Sequence, residues 1–335
     1  MRHTANAAAR GRPEDSPPPA WDKAAGRAFP ARHWSKLAGL AGVVIAGTLL
    51  YRTLGGYSLQ EILASIAAVP LARLAAAAGF AAASYACLTG FDYLALRYAG
   101  RPLAYRKAAL ASFTSLSLGH NIGFAALSSG AIRYRFYSRW GLAPEDVVKV
   151  VLFCAATVGL GLMALVAAAF LIDGDAVARL TGLGRAAVVA IGCASLVSIV
   201  AYISAAAVVK RSLTIRTWRF RMPSTGLAVG QVAIGGLNFA CVAASLHQTI
   251  AAVTEASYPA VAAAYAIANT GTLLAHAPGG LGVIEAVVIH LLPGSGLIGA
   301  VLVFRFVYYL APLALGVVAF GASELVLGRT RAGRD

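Results

Sequence analysis

Charge is scarce in this chain, and acidic charge scarcest. Its 335 residues carry 13 Asp and Glu against 28 Lys and Arg, and charged side chains make up only 12%. A soluble domain usually carries about 25%, so a soluble globular enzyme and a disordered protein are both excluded. The four cysteines (Cys87, Cys154, Cys193 and Cys241) each sit inside an apolar run. They show neither the spacing of a disulfide framework nor that of a metal site. No GxxxxGK[ST] phosphate loop, HExxH or CxxC is present, so neither a nucleotide-driven pump nor a metal or other cofactor is expected, and no enzymatic activity. The short alternating strands of a membrane β-barrel are missing as well.

What fills the chain instead is apolar surface. Hydrophobic residues make up 59%, mean hydropathy is +0.74, and stretches long enough to cross a bilayer recur along the sequence. The expected fold class is an all-α polytopic membrane protein. About six full spans are read: Trp34–Leu54, Leu71–Leu96, Val150–Ile172, Ala186–Val209, Gly226–Leu246 and Leu297–Leu327. A short amphipathic piece, Ser58–Val69, follows the first. Residues 1–33 form a Pro- and Arg-rich arm expected to be disordered, 34–328 the transmembrane domain, and 329–335 a short basic tail.

Two further apolar segments do not read as simple spans. Segment 108–132 is uncharged but broken by Gly119-His120-Asn121-Ile122-Gly123; segment 258–292 is too long for one crossing and broken by Pro278-Gly279-Gly280-Leu281-Gly282. The arm with Lys36, the 97–107, 133–149 and 210–221 loops and the tail hold 23 Lys and Arg, against 3 in the alternate loops. By the positive-inside rule both termini are cytoplasmic. The net charge of +15 then reflects topology and not nucleic-acid binding. Arg106 and Lys107 precede segment 108–132, and Arg133, Arg135 and Arg139 follow it, so both its ends prefer the cytoplasm. The two interrupted segments are expected to be broken or re-entrant hairpins of opposite orientation, the signature of an inverted-repeat transporter. The alternative is a pair of kinked full-length helices.

Ionisable residues inside the apolar segments are the candidate functional groups, because a buried charge is costly. Arg305 lies about 12 Å into the last helix at 1.5 Å per residue. It either serves transport or satisfies the carbonyls of a broken helix, with Glu285 as the expected partner. Tyr308, Tyr309 and Pro312 follow it. Glu285 sits in the first turn after the glycines and suits either a helix cap or a transport role. Asp92 is read near the end of its helix, either functional or paired with Arg97. His120, Asn121, Asn269 and His276 crowd the two breaks, where polar side chains commonly satisfy freed backbone groups. The run Arg133-Tyr134-Arg135-Phe136-Tyr137 suits a lipid phosphate, since guanidinium binds it bidentately; an ordinary basic loop reads the same way.

These residues also carry a family likeness. Gly119-His120-Asn121 through Gly130-Ala131-Ile132-Arg133-Tyr134-Arg135-Phe136-Tyr137, with Pro278-Gly279-Gly280-Leu281-Gly282-Val283-Ile284-Glu285, resembles the lysylphosphatidylglycerol synthase transmembrane (flippase-like) family. That family includes the membrane half of the multiple peptide resistance factor and stand-alone YbhN-type inner-membrane proteins. The likeness covers roughly residues 35–327. It implies a multi-pass protein of the bacterial inner membrane that moves a phospholipid, anionic or aminoacylated, between leaflets. Asp92, Arg133 and Glu285 match the family's acidic, arginine and glutamate positions; His120, Asn121, Arg135, Gly279, Gly280 and Arg305 complete the expected path. The sequence continues only about eight residues past the last apolar run, so no aminoacyl-transferase domain is expected in it, and a separate synthase or envelope enzyme is a candidate partner. A non-transporting anchor subunit is the second reading, and a small-solute permease the third.

Overall fold

The computed structural model describes residues 59–332, apart from 123–124, 210–211, 216–217 and 277. The arm and the first apolar run, Trp34–Leu54, lie outside the described residues, as do 333–335. The chain is a helical membrane protein. Among the described residues, five helices are long and apolar enough to cross a membrane. The outward side chains agree with that: Val197, Val200, Leu237, Leu315 and Val318 are each more than half exposed, a surface that water would not tolerate but lipid does.

Helix α1 (Leu59–Ala68) is the short amphipathic piece. Then come α2 (Leu71–Tyr98), α3 (Tyr105–Ile122), α4 (Ala125–Arg139), α5 (Pro144–Ile172), α6 (Gly174–Thr181), α7 (Arg185–Val208), α8 (Thr225–Ile250), α9 (Tyr258–Ala275), α10 (Val283–Leu291), α11 (Leu297–Arg305) and α12 (Ala311–Ala332). Between α7 and α8, strands β1 (Ser212–Ile215) and β2 (Trp218–Arg221) pair antiparallel. This short ribbon lies in the 210–221 loop and leaves the all-α bundle as expected. Its β-branched and aromatic residues favour pleated backbone over helix, and Tyr98 Oη donates to the Arg221 carbonyl at 2.7 Å.

Two other boundaries move. The 133–149 loop is nearly all helix: α4 runs on to Arg139, and α5 begins at Pro144, followed by Glu145 and Asp146. Proline at the first helical position and acids in the first turn are start signals. The 173–185 loop holds α6, capped by the Asp173 side chain accepting from Ala176 N at 3.1 Å and closed by left-handed Gly182.

The core is built on small residues. Helices α5 and α8 cross at Gly161 and Gly235, where a Cβ on Gly161 would lie 2.4 Å from the Gly235 carbonyl carbon. Close backbone approach of this kind is how helices associate without a hydrophobic drive in lipid. Gly161→Val is therefore expected to separate the two helices and lower the melting temperature of detergent-purified protein, whereas Gly159→Ala, into open space, should leave it unchanged.

Both interrupted segments are helical hairpins. The first opens at Lys107, whose Nζ lies 5.6 Å from the Trp140 ring centroid, and its two helices close on each other at Gly119, packed so tightly on Ser129 that a Cβ would sit 2.8 Å from the serine Cβ. The second opens where Thr254 Oγ1 donates to the Pro293 carbonyl at 2.9 Å. Its turn is made by His276, Gly279, Gly280 and Gly282, all at positive φ, which only glycine adopts without cost. The hairpins open at opposite ends of α2: Thr89 and Tyr105 hydrogen-bond at 2.7 Å near one end, and Ser245 donates to Ala77 O at 2.9 Å near the other. Their turns meet in the middle, where a Cβ on Gly279 would lie 3.8 Å from Asn121 Oδ1 and 3.9 Å from His120 O.

Past the second hairpin, α11 passes through a π turn, Phe306–Leu310, into α12. Pro312 has no N–H to give the Tyr308 carbonyl. Tyr85 Oη donates to that carbonyl instead, at 3.4 Å.

Candidate functional site

Each hairpin carries one buried carboxylate–guanidinium pair. In the first, Asp92 on α2 faces Arg133 on α4, with Nε–Oδ2 at 2.9 Å and Nη2–Oδ1 at 2.8 Å. Tyr137 Oη donates to Oδ2 at 2.5 Å, and the Cys154 thiol to Oδ1 at 3.6 Å. Arg133 Nη1 donates to Ser129 Oγ at 2.9 Å. Asp92 and Arg133 are 0% and 2% exposed, so neither reaches an interface by snorkelling. This corrects two expectations. Asp92 pairs with Arg133 and not with Arg97, which donates to Tyr93 Oη at 2.6 Å. Arg133 is no loop charge but an internal ion.

In the second, Arg305 at the end of α11 forks onto Glu285 of α10. Nη2 donates to Oε2 at 2.7 Å and Nε to Oε1. The same guanidinium donates to the carbonyls of Gly279 and Gly280, both at 2.8 Å. Glu285 Oε2 accepts from Gly282 N at 3.0 Å, so the carboxylate also caps its own helix. Arg305 thus satisfies the carbonyls of the broken helix as well as pairing with Glu285, and Glu285 caps its helix as well as pairing with Arg305. Together they tie three non-helical residues and two helix ends into one unit, because every carbonyl freed in a helix break needs a donor in lipid.

Arg135 does not join Arg133. Two residues apart on a helix, they project about 200° apart. Arg135 and Arg139, one turn apart, both reach Glu324 of α12, at 2.7 and 2.8 Å. Glu324 was overlooked in the sequence; its signal is a single acid near the end of an otherwise apolar helix.

A cavity of about 480 Å³ lies between the two hairpin turns. Its wall includes His120 and Arg133 from the first hairpin, Asn269 and Gly279 from the second, Asn238 from α8 and Tyr308 from the π turn. Asn121 is buried beside it, its Nδ2 donating to Ser117 O at 2.8 Å. Arg305 and Glu285 stand behind the wall and not in it. The sides of the cavity at Ala155 and Gly159 of α5 and at Leu273 of α9 and His276 just after it are exposed residues, so it opens sideways between these helices. Among the described residues, no group of three His, Cys, Asp or Glu is arranged to hold a metal ion.

No family model matches the chain. It is 27% identical over 307 residues to slr0712, an uncharacterized protein of Synechocystis sp., covering 88% of this chain and 95% of that one. It is 27% identical over 266 residues to the inner membrane protein YbhN of Escherichia coli, covering 77% of this chain and 82% of YbhN. The similarity covers more than three quarters of this chain in both cases.

Proposed function

We propose that the protein moves a phospholipid headgroup between the leaflets of a bacterial inner membrane, in the manner of the flippase-like family. The carrying observation is the central cavity, placed where two opposed hairpins meet and opened sideways between α5 and α9. A polar headgroup enters such a cavity while its acyl chains remain in lipid. One buried ion pair ties the second hairpin's turn, and the other ties α4 of the first hairpin to α2 beside the cavity. A pure anchor subunit has no use for this arrangement, and a solute permease needs a polar route from end to end. In this reading the hairpins are re-entrant, each entering the bilayer and leaving on the same side, and both termini are cytoplasmic. Transport draws on gradients or mass action. Hydrogen-bonding side chains in a cavity with an apolar flank are the usual form of a ligand site.

Orientation is tested by cysteine labelling in whole cells and inverted vesicles. Gly141→Cys, exposed and beside the first hairpin's opening, is expected to react only from the cytoplasm. Ser295→Cys, exposed and beside the second opening, should react only from outside. Reaction of both from one side would remove the opposed arrangement. Transport itself is tested with fluorescent phospholipids in proteoliposomes, following loss of signal as an outer-leaflet quencher is added. The purified protein is expected to expose inner-leaflet lipid, and Gly159→Trp, which fills the side opening, should reduce the rate by an order of magnitude or more with unchanged melting temperature. Equal rates in protein-free vesicles would end the transport reading.

A further inference from the structure

The charge inventory of the cavity bears on what it admits. Among the described residues, Arg133 is the one guanidinium or ammonium that lines it, and no carboxylate does. That guanidinium is already forked on Asp92 by two bonds under 3 Å. The second buried arginine, Arg305, stands behind the wall and is neutralised by Glu285. Arg135 and Arg139 are bound to Glu324. The site is therefore polar but balanced, with no spare charge of either sign.

We propose that the cavity is built for a headgroup without net charge, a zwitterion that pairs a phosphate with an ammonium, in preference to an anionic headgroup. The inference rests on the lipid reading above. A net charge taken into this enclosure would lose its hydration and meet no countercharge, and that cost is severe in an apolar setting. A zwitterion carries its own countercharge. The wall supplies contacts for both ends. Guanidinium has five N–H donors; Asp92 and Ser129 take Nε and one N–H on each Nη of Arg133, which leaves donors for phosphate. His120 is beside it, and its buried Nδ1 has no hydrogen-bond partner among the described residues, an acceptor or donor that a bound polar group can satisfy. Tyr265, Tyr308 and Tyr309 line the cavity as well, and phenol rings attract an ammonium.

The test is lipid binding to the purified full chain by native mass spectrometry. Phosphatidylethanolamine, phosphatidylglycerol and lysyl-phosphatidylglycerol with identical tails are offered in turn, and only the fraction that Gly159→Trp removes is counted, which discards lipid held by the basic surface. Phosphatidylethanolamine is expected to exceed each of the other two in this fraction by on the order of tenfold. Asn269→Lys, which adds an unpaired cation to the wall, should swing the preference to phosphatidylglycerol. A phosphatidylglycerol or lysyl-phosphatidylglycerol fraction equal to or above that of phosphatidylethanolamine overturns the inference and leaves the lipid reading intact. An unchanged preference in Asn269→Lys also overturns it. No lipid removed by Gly159→Trp overturns both. Free phosphoethanolamine serves as a competitor: displacement of the lipid only at far higher concentration is expected, and equal potency would assign the site to a soluble zwitterion and overturn the lipid part.

Discussion

Arg305→Ala is expected to be the most damaging single substitution in the bundle, and Arg305→Met combined with Glu285→Gln to be milder than either Arg305→Ala or Glu285→Ala. Removing one member of a buried pair strands the other charge, at a cost of roughly 3–5 kcal/mol, whereas replacing both with groups of similar volume is often near neutral. Here Arg305→Ala also removes the donors to the Gly279 and Gly280 carbonyls, so the double variant should recover only part of the loss. The measurement is a double-mutant cycle on thermal unfolding in detergent. Additive effects would show that the two side chains do not act as a pair.

The second large effect is expected from Arg133→Lys, a change that conserves charge. An ammonium is a point donor and cannot reproduce the two-pronged contact with Asp92 while also reaching Ser129. With the pair at 0% and 2% exposure, no water replaces the lost bonds, and about 2 kcal/mol is expected from two charge-assisted hydrogen bonds. Arg135→Lys is the control. It sits at a half-buried site whose Glu324 partner keeps Arg139, so its effect should be within about 0.5 kcal/mol. Comparable losses for the two variants would mean that Arg133 is held only by its charge.

The apolar runs and the breaks in them were legible in the sequence, because hydrophobic length and clustered glycine are local signals. The Arg305–Glu285 partnership was legible too: two ions in adjacent apolar segments have few other places to go. The Asp92–Arg133 pair was not. Arg97 offered a nearer partner, and Arg133 was assigned to a loop because the apolar stretch ends at Ile132. Once α4 is seen to continue to Arg139, helical geometry alone turns Arg133 inward and sends Arg135 and Arg139 to another face. The cavity was only partly legible. His120, Asn121 and Asn269 were singled out at the breaks, but Asn238 and the side opening at Gly159 lie in runs that read as plain span. The ribbon at 212–221 was hidden among basic residues that the charge count took as a loop.

The π turn at Phe306–Leu310 holds one residue more than the α-helical path it replaces, and each residue in a helix is worth about 100° of rotation. Upstream of it stands Arg305, fixed to the second hairpin; downstream stands Glu324, fixed to the first. The extra residue therefore acts as a phase shifter between two anchor points on one continuous rod. Deleting a residue within 306–310 would restore a regular helix with every apolar side chain of the right kind, yet turn Glu324 by about a quarter of a circle or more away from Arg135 and Arg139. The azimuth of α12, and with it the alignment of the two halves of the bundle, is set by this single inserted residue and not by hydrophobic pattern.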